Sequence, residues 1–304
     1  MNTSDTLISL RDEALRLFRG VPDHQLDLAT AIPYLSFIRR TQVTELNKGM
    51  LEPSLCLVLQ GKKKVLIGQK IIHYGIGNYV LSAIDIPISG QIMEASPTTP
   101  DLGLKIALDP KEITALIIET GMAPPKTQLS SPAAYVDESD ADLQDALLRL
   151  VCLLKKPSDI AVLSGLIKQE IFYRLLTAKE GGALYRTLLS SYREKGINAA
   201  IHWIKDNYAQ PMEIEKLAQR VSMSVSNLHH RFKAITTMSP LQYQKQTRLL
   251  EARKFLLAGN VEAATAAFKV GYESPSQFSR EYRRLFGASP LQDMEYLKHY
   301  QLDQ

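Results

Sequence analysis

The chain has 304 residues, is 45% hydrophobic, and sets 36 Lys and Arg against 32 Asp and Glu, a formal net charge of +4 at pH 7. That is enough apolar material for two separate cores, and the two cysteines, Cys56 and Cys152, are too few for a disulfide-built scaffold. The first residues include acids and no sustained apolar core, and no apolar run is long enough to span a bilayer, so a cytoplasmic chain with no membrane partner is expected.

Residues 1 to 30 read as an amphipathic helical segment in which Leu7, Leu10, Leu15, Leu17 and Phe18 are interleaved with Arg11, Asp12, Glu13 and Arg16. Short apolar runs then alternate with turn signals: Leu35 to Arg39, Ser54 to Gln60, Lys64 to Ile67, Lys70 to Tyr74, Tyr79 to Ser82, Ser89 to Glu94, and Gly103 to Leu108. Gly61, Gly68, Gly75, Gly77 and Gly90 punctuate them at the intervals of an antiparallel sandwich or barrel. A metal-dependent enzyme in such a container needs clustered His and carboxylate ligands, yet residues 51 to 110 hold a single histidine, His73. His73 therefore reads as a strand-edge or surface residue, and neither a metal, a cofactor nor catalysis is expected. Cys56 lies in the apolar run Leu55 to Leu59 and reads as a small buried hydrophobe. A neighbour that lowered its pKa would instead make it a thiolate able to capture an electrophilic effector.

From Asp140 to Ala178 the period becomes helical. Leu143, Leu147, Leu150 and Leu154 line one face, and after Pro157 the residues Leu163, Leu166, Ile167, Ile171 and Leu175 line another. These stripes either pack on the sheet-forming region or, for the first, form a two-fold dimer seam. Gly181-Gly182 and Lys195-Gly196 are the hinge positions. The linker is placed near the second pair, which divides the chain into residues 1–190 (strands about 30–110, helices about 138–190) and 195–298.

Ile197 to Tyr208, with the lone Trp203, reads as a helix that stops before Pro211. Beyond it the chain repeats itself. Ser224 to Met238 recurs as Ser274 to Ala288, and each copy runs into Ser-Pro-Leu-Gln. Leu228 matches Phe278, Phe232 matches Tyr282, and Ile235 matches Leu285, the spacing of one helix face. Ser224 and Ser274 stand as N-caps, with Pro275 at a first helical position. A shorter helix precedes each copy, at Glu213 to Val221 and Val261 to Val270, with Ser222 and Gly271 in the turns. The pattern is two helix-turn-helix units.

Between them Ser239-Pro240 opens a linker helix whose apolar stripe is Leu241, Leu249, Leu250, Ala252, Phe255 and Leu256, ending at Gly259-Asn260. At about 1.5 Å per residue it spans nearly 30 Å. That approaches the roughly 34 Å between successive major-groove faces of a duplex. Residues 191 to 304 hold 16 Lys and Arg against 11 Asp and Glu, whereas the preceding part is nearly neutral. The basic excess thus lies where a phosphate-binding surface requires it.

These residues carry a family resemblance. Leu217-Ala218-Gln219-Arg220-Val221-Ser222-Met223-Ser224, Phe232-Lys233, and the run Val270-Gly271-Tyr272 through Phe278-Ser279-Arg280 to Phe286-Gly287-Ala288-Ser289-Pro290 resemble the AraC/XylS family of bacterial transcription regulators over about residues 195 to 293. Ser222 departs from the common glycine, and His230 stands where arginine is frequent. Pro53 to Lys63 and Asp85-Ile86-Pro87-Ile88-Ser89-Gly90 resemble the cupin-like N-terminal domain of one branch of that family, over roughly residues 20 to 180. The fold class so implied is α+β: an N-terminal cupin-like antiparallel β-sandwich or barrel with flanking helices, then an all-α domain of two helix-turn-helix units joined by a linker helix.

Helix geometry selects the candidate readers. With Leu228 and Phe232 facing inward, Ser226, Asn227, His229 and His230 face outward, as do Ser276, Gln277, Ser279 and Arg280 in the second copy. Arginine can bond guanine O6 and N7 together, and Asn or Gln can do the same for adenine. Lys233, Lys245, Arg283 and Arg284 are assigned to phosphates. The expected function is sequence-specific transcription regulation, with activation the commoner outcome the resemblance implies. Double-stranded DNA is the partner, with a small-molecule effector, RNA polymerase and a second copy of the chain as the others. The alternatives are a cupin-type enzyme or a DNA-repair protein with an accessory AraC-like module, and a DNA-architectural protein with an inert, dimerising N-terminal half.

Overall fold

The computed structural model describes residues 3–22, 25–123, 133–193, 196–259 and 261–302. Lys195 and Asn260, named above at the linker and the helix end, lie outside them. Helix α1 (Thr3–Leu17) is followed by β1 (Asp27–Ala29), β2 (Leu35–Arg40), β3 (Asn47–Leu51), β4 (Ser54–Gln60) and β5 (Lys62–Ile67). Next come β6 (Lys70–Gly75), β7 (Asn78–Ser82), β8 (Ile86–Glu94), β9 (Asp101–Ala107), α2 (Pro110–Thr120) and β10 (Ala134–Glu138). The residues from 27 to 29, expected to continue the first helical segment, pair with β2 instead.

The strands form a six-stranded sheet in the order β1-β2-β9-β4-β7-β10 and a four-stranded sheet in the order β3-β8-β5-β6. All the described pairings are antiparallel. Of the expected sandwich or barrel, no closed barrel forms among the described residues: the strands divide into two sheets, with a crossing from one to the other at Gly61, and each sheet keeps two edges. Both faces of the larger sheet are covered, which explains the unbroken apolar run of β4. Leu55, Leu57 and Leu59 bury one way with Phe37, Leu81 and Leu104 beneath the helices, while Cys56 and Val80 face Val65, Ile67 and Ile72 of the smaller sheet.

Helices α3 (Ala141–Cys152), α4 (Pro157–Thr177) and α5 (Gly181–Arg193) complete this half. Asp140 caps α3 through a bond from the Leu143 N–H at 2.8 Å. Leu143, Leu147 and Leu150 are each at most 2% exposed, so this stripe is spent on the internal core and forms no dimer seam. The second stripe divides: Ile167, Ile171 and Leu175 are buried, whereas Leu163 and Leu166 lie exposed at 39 and 59%, beside Val162 and Tyr173, which are exposed at 68 and 45%. Gly181 belongs to a tight corner rather than a hinge, since an added Cβ would stand 2.4 Å from the Leu176 carbonyl oxygen.

The remaining elements are helical: α6 (Ile197–Asp206), α7 (Ile214–Arg220), α8 (Val225–Thr236), α9 (Pro240–Leu257), α10 (Ala263–Lys269), α11 (Pro275–Phe286) and α12 (Pro290–Leu302). A single buried cluster joins Val65, Ile67 and Ile86 of the sheets, and Ile84 between β7 and β8, to Ile201, Ile204, Leu217, Leu228, Phe232 and Tyr243. The first helix-turn-helix unit therefore shares its core with the smaller sheet. The second closes on itself around Leu249, Ala252, Val270, Phe278 and Tyr282.

Candidate nucleic-acid interface

The two units are built by the same local chemistry. Ser224 Oγ accepts from the Asn227 N–H at 3.3 Å and Ser274 Oγ from the Gln277 N–H at 3.4 Å, starting α8 and α11 alike. Thr237 and Gly287 end them in the left-handed region, at φ 67° and 86°. The repeated Ser-Pro-Leu-Gln is a capping signal. Ser239 and Gln242 bond each other's backbone N–H groups at 3.3 and 3.0 Å, and Ser289 and Gln292 do so at 3.4 and 3.2 Å, each with proline next to the cap.

Between the short helix and the long one, Ser222 (φ 56°) and Gly271 (φ 86°) make the turn. At Gly271 a Cβ would sit 2.0 Å from the Ala209 carbonyl oxygen, so side-chain absence is required there by both conformation and space. Ser222 occupies the same conformation in the open, at a cost of about 1–2 kcal/mol.

Leu228, Phe232, Phe278 and Tyr282 are fully buried, and this fixes what faces outward. Ser226, Asn227 and His230 on α8 are exposed and His229 is half-buried; Ser276, Gln277 and Arg280 on α11 are exposed and Ser279 is half-buried. The candidate readers therefore gather on one outward face of each helix. Lys233, Arg283 and Arg284 are also exposed, and no hydrogen bond or ion pair engages them or Arg280 among the described residues. No acid lies in the first turn of α8 or α11, so no carboxylate there repels a phosphate.

Lys245 stands differently from the other proposed phosphate contacts. Its Nζ lies 2.8 Å from Glu281 Oε1, in an ion pair that ties α9 to α11. Cys56 does not meet the condition for a reactive thiolate: burial pushes its thiol pKa up, and the Ser54 hydrogen bond and the Lys105 and Lys63 charges only partly offset this. His73 is on β6 with Nδ1 3.2 Å from Met93 Sδ. No group of three or more His, Cys, Asp or Glu able to hold a metal occurs among the described residues, and no helix there is long and apolar enough to cross a membrane.

Residues 31–183 match the profile of the AraC-type transcriptional regulator N-terminus, and residues 217–295 match a helix-turn-helix domain profile. This chain belongs to the AraC family of transcriptional regulators. Among its relatives, the transcriptional activator RhaS of Escherichia fergusonii is 30% identical over 143 residues, covering 47% of this chain and 51% of that protein. The virulence regulon transcriptional activator VirF of Yersinia enterocolitica is 27% identical over 150 residues, covering 49% and 55%. The chain thus spans about half the length of these curated relatives. Apo ToxT from Vibrio cholerae superposes with a TM-score of 0.52 at 11% identity, over 86% of this chain and 96% of that one, a likeness of fold alone.

In this AraC-family chain, the residues that hold the two units together are ones that sequence patterning did not single out. Arg248 of α9 donates to the carbonyls of Tyr208, Gln210 and Gly271 at 2.6, 3.0 and 2.9 Å, and Gln244 donates to those of Tyr208 and Gln210 at 3.1 and 2.8 Å. These bonds lock the chain after α6 and the turn before α11 onto one strut, and burial pulls the Arg248 pKa below its ordinary value. Leu241, expected in the apolar stripe of α9, is 51% exposed, while Tyr243, Gln244 and Thr247 are buried.

Arg253 bonds Asp293 through Nε and Nη2 at 2.8 Å each, and the Tyr282 hydroxyl donates to Asp293 at 2.7 Å. Across the seam to the sheets, Lys205 pairs with buried Asp85 at 2.8 Å, and the Tyr243 hydroxyl donates to the Asp85 carbonyl at 2.9 Å. A cavity of about 420 Å³ lies in that seam, lined by Lys48, Gln69 and Ser89 on one side and Gln242, Gln246 and Arg284 on the other.

Proposed function

We propose that this regulator reads two adjacent stretches of one DNA duplex by laying α8 and α11 in successive major-groove faces, with α9 as the spacer between them. The observation that carries the reading is the duplicated unit: two helices with the same caps, the same buried positions and the same outward polar face. Helix α9 has 18 residues, about 27 Å at 1.5 Å each, which suits the repeat of the groove. Ser226, Asn227, His229, His230, Ser276, Gln277, Ser279 and Arg280 contact base edges, and Lys233, Arg283 and Arg284 contact phosphates.

Activation is the sense of regulation, as the names of the RhaS and VirF relatives suggest, with RNA polymerase as the protein partner at the promoter. The two-sheet half senses a small molecule. The cavity in the seam supports this, because an occupant there touches the sheet and the second unit together. A homodimer is supported by the exposed Val162, Leu163, Leu166 and Tyr173 of α4, a helix with apolar residues on its outer face as well as its inner one. Genome-wide mapping of sites bound by the purified chain tests the reading: paired half-sites upstream of genes support it, and binding without sequence preference refutes it.

A further inference from the structure

Gln277 and Glu281 lie one turn apart on α11, and Gln277 Nε2 donates to Glu281 Oε1 at 3.3 Å. The same carboxylate accepts from Lys245 Nζ on α9 at 2.8 Å and, through Oε2, from the Tyr272 hydroxyl at 2.8 Å. Three donors from three places in the unit thus hold a side chain that is itself only 15% exposed. Burial alone would raise the Glu281 pKa, but these hydrogen bonds hold it below the usual glutamate value, so it stays ionised.

An ionised carboxylate accepts hydrogen bonds and donates none, whereas a primary amide has a donor side and an acceptor side that exchange by a half-turn of its last bond. The Glu281 carboxylate breaks that symmetry: it takes one proton of Nε2 and repels Oε1. When the carboxylate takes the Nε2 proton that points away from the amide oxygen, the second Nε2 proton and Oε1 are left side by side on the far edge of the amide. One donor beside one acceptor is the pattern that matches N7 and N6 of adenine in the major groove.

We propose that Glu281 is a positioning residue that fixes the orientation of the Gln277 amide, and that the second unit thereby selects adenine at one base pair. The inference rests on reading α11 as a base-contacting helix. Lys245 offsets the carboxylate charge so that it sits near DNA without a net negative site. The first unit lacks the device. At the matching positions it has Asn227 for Gln277, Arg231 for Glu281 and Met223 for Tyr272, and a guanidinium accepts no hydrogen bond. Strict adenine selection therefore belongs to the half-site under α11.

The test is selection of binding sites from a randomised duplex library by the full chain, with thermal melts to verify folding, for the wild type, Gln277→Ala, Glu281→Gln and the double variant. Gln277→Ala should lower adenine preference at one position by about tenfold. Glu281→Gln should lower it at the same position by about fivefold, and the double variant should lose no more than Gln277→Ala alone. Glu281→Asp keeps the charge but withdraws it by one methylene; it should show the same loss, and it decides the matter if Glu281→Gln fails to fold. Relaxed adenine preference in Gln277→Ala with full preference in the Glu281 variants would overturn the positioning role and leave the base-reading role standing. Unchanged preference at every position in Gln277→Ala would overturn both.

Discussion

The two helix-turn-helix units share a sequence pattern but obtain their rigidity from different sources. The first borrows its core from the smaller sheet: Leu228 and Phe232 belong to one cluster with Val65, Ile67 and Ile86, and the Phe232 ring meets the Tyr243 ring edge-on at 5.5 Å. The second is stapled from within by polar bonds, where Arg248 holds the Gly271 carbonyl, Arg253 and Tyr282 hold Asp293, and Glu281 gathers Lys245, Tyr272 and Gln277. A duplicated pair of helix-turn-helix units can therefore have one member whose core is shared with the sheets and another whose core is its own. Toward the sheets, Arg253 donates to Asn47 at 2.6 Å, and the seam cavity lies between α9, α11 and the smaller sheet.

The comparison is broken most forcefully at Gly271 and Asp293. Gly271→Ala should destabilise the chain by about 3–4 kcal/mol, because the new methyl collides with the Ala209 carbonyl and the backbone is left-handed. Arg253→Ala should cost about 3 kcal/mol or more by leaving the buried Asp293 carboxylate without its cation. Both are read from urea denaturation monitored at equilibrium. A loss under 1 kcal/mol for either would mean that the second unit does not depend on these staples.

Binding separates the two faces next. Arg280→Ala should cost about 1–3 kcal/mol on a cognate duplex and relax preference at one base, whereas Lys233→Ala should weaken all duplexes alike and shorten the salt slope by about 1. Titration of cognate and scrambled duplexes at several salt concentrations distinguishes the two. Equal losses of Arg280→Ala on both duplexes would remove its role as a reader. The smallest effect is of opposite sign: Ser222→Gly in the first unit should stabilise by about 0.5–1 kcal/mol, since glycine relieves the left-handed strain that Ser222 bears. A thermal melt that fell instead would show that the Ser222 side chain has a role the turn geometry does not require.

Much of this was legible in the sequence, and the failures have physical causes. The repeat gave both units, because caps and buried positions are local and recur in phase. The strand runs were read where apolar residues and glycines frame them, but β3 (Asn-Lys-Gly-Met-Leu) has too little apolar content to signal a strand, and β10 pairs with β7 only across a long stretch of intervening chain. Closure into a barrel could not be judged, since alternation tells which residues face inward and not how strand edges meet. At the interface, the outward faces of α8 and α11 followed from helix periodicity alone. Gln244, Arg248 and Glu281 stayed hidden because a buried polar residue that bonds distant carbonyls or side chains has the same letter as a solvated one. Only Ser-Pro-Leu-Gln held an unread local signal, the glutamine three residues after a serine cap.

Selection of duplex sites by the full-length chain, followed by hydroxyl-radical footprinting on the winning sequence, tests the central claim most directly. Two protected stretches centred about one helical turn apart, roughly 10–10.5 base pairs, with substitutions on α8 and α11 each relaxing a different stretch, are the expected result. A single protected stretch, or two that both respond to α8 alone, would contradict the duplicated reader.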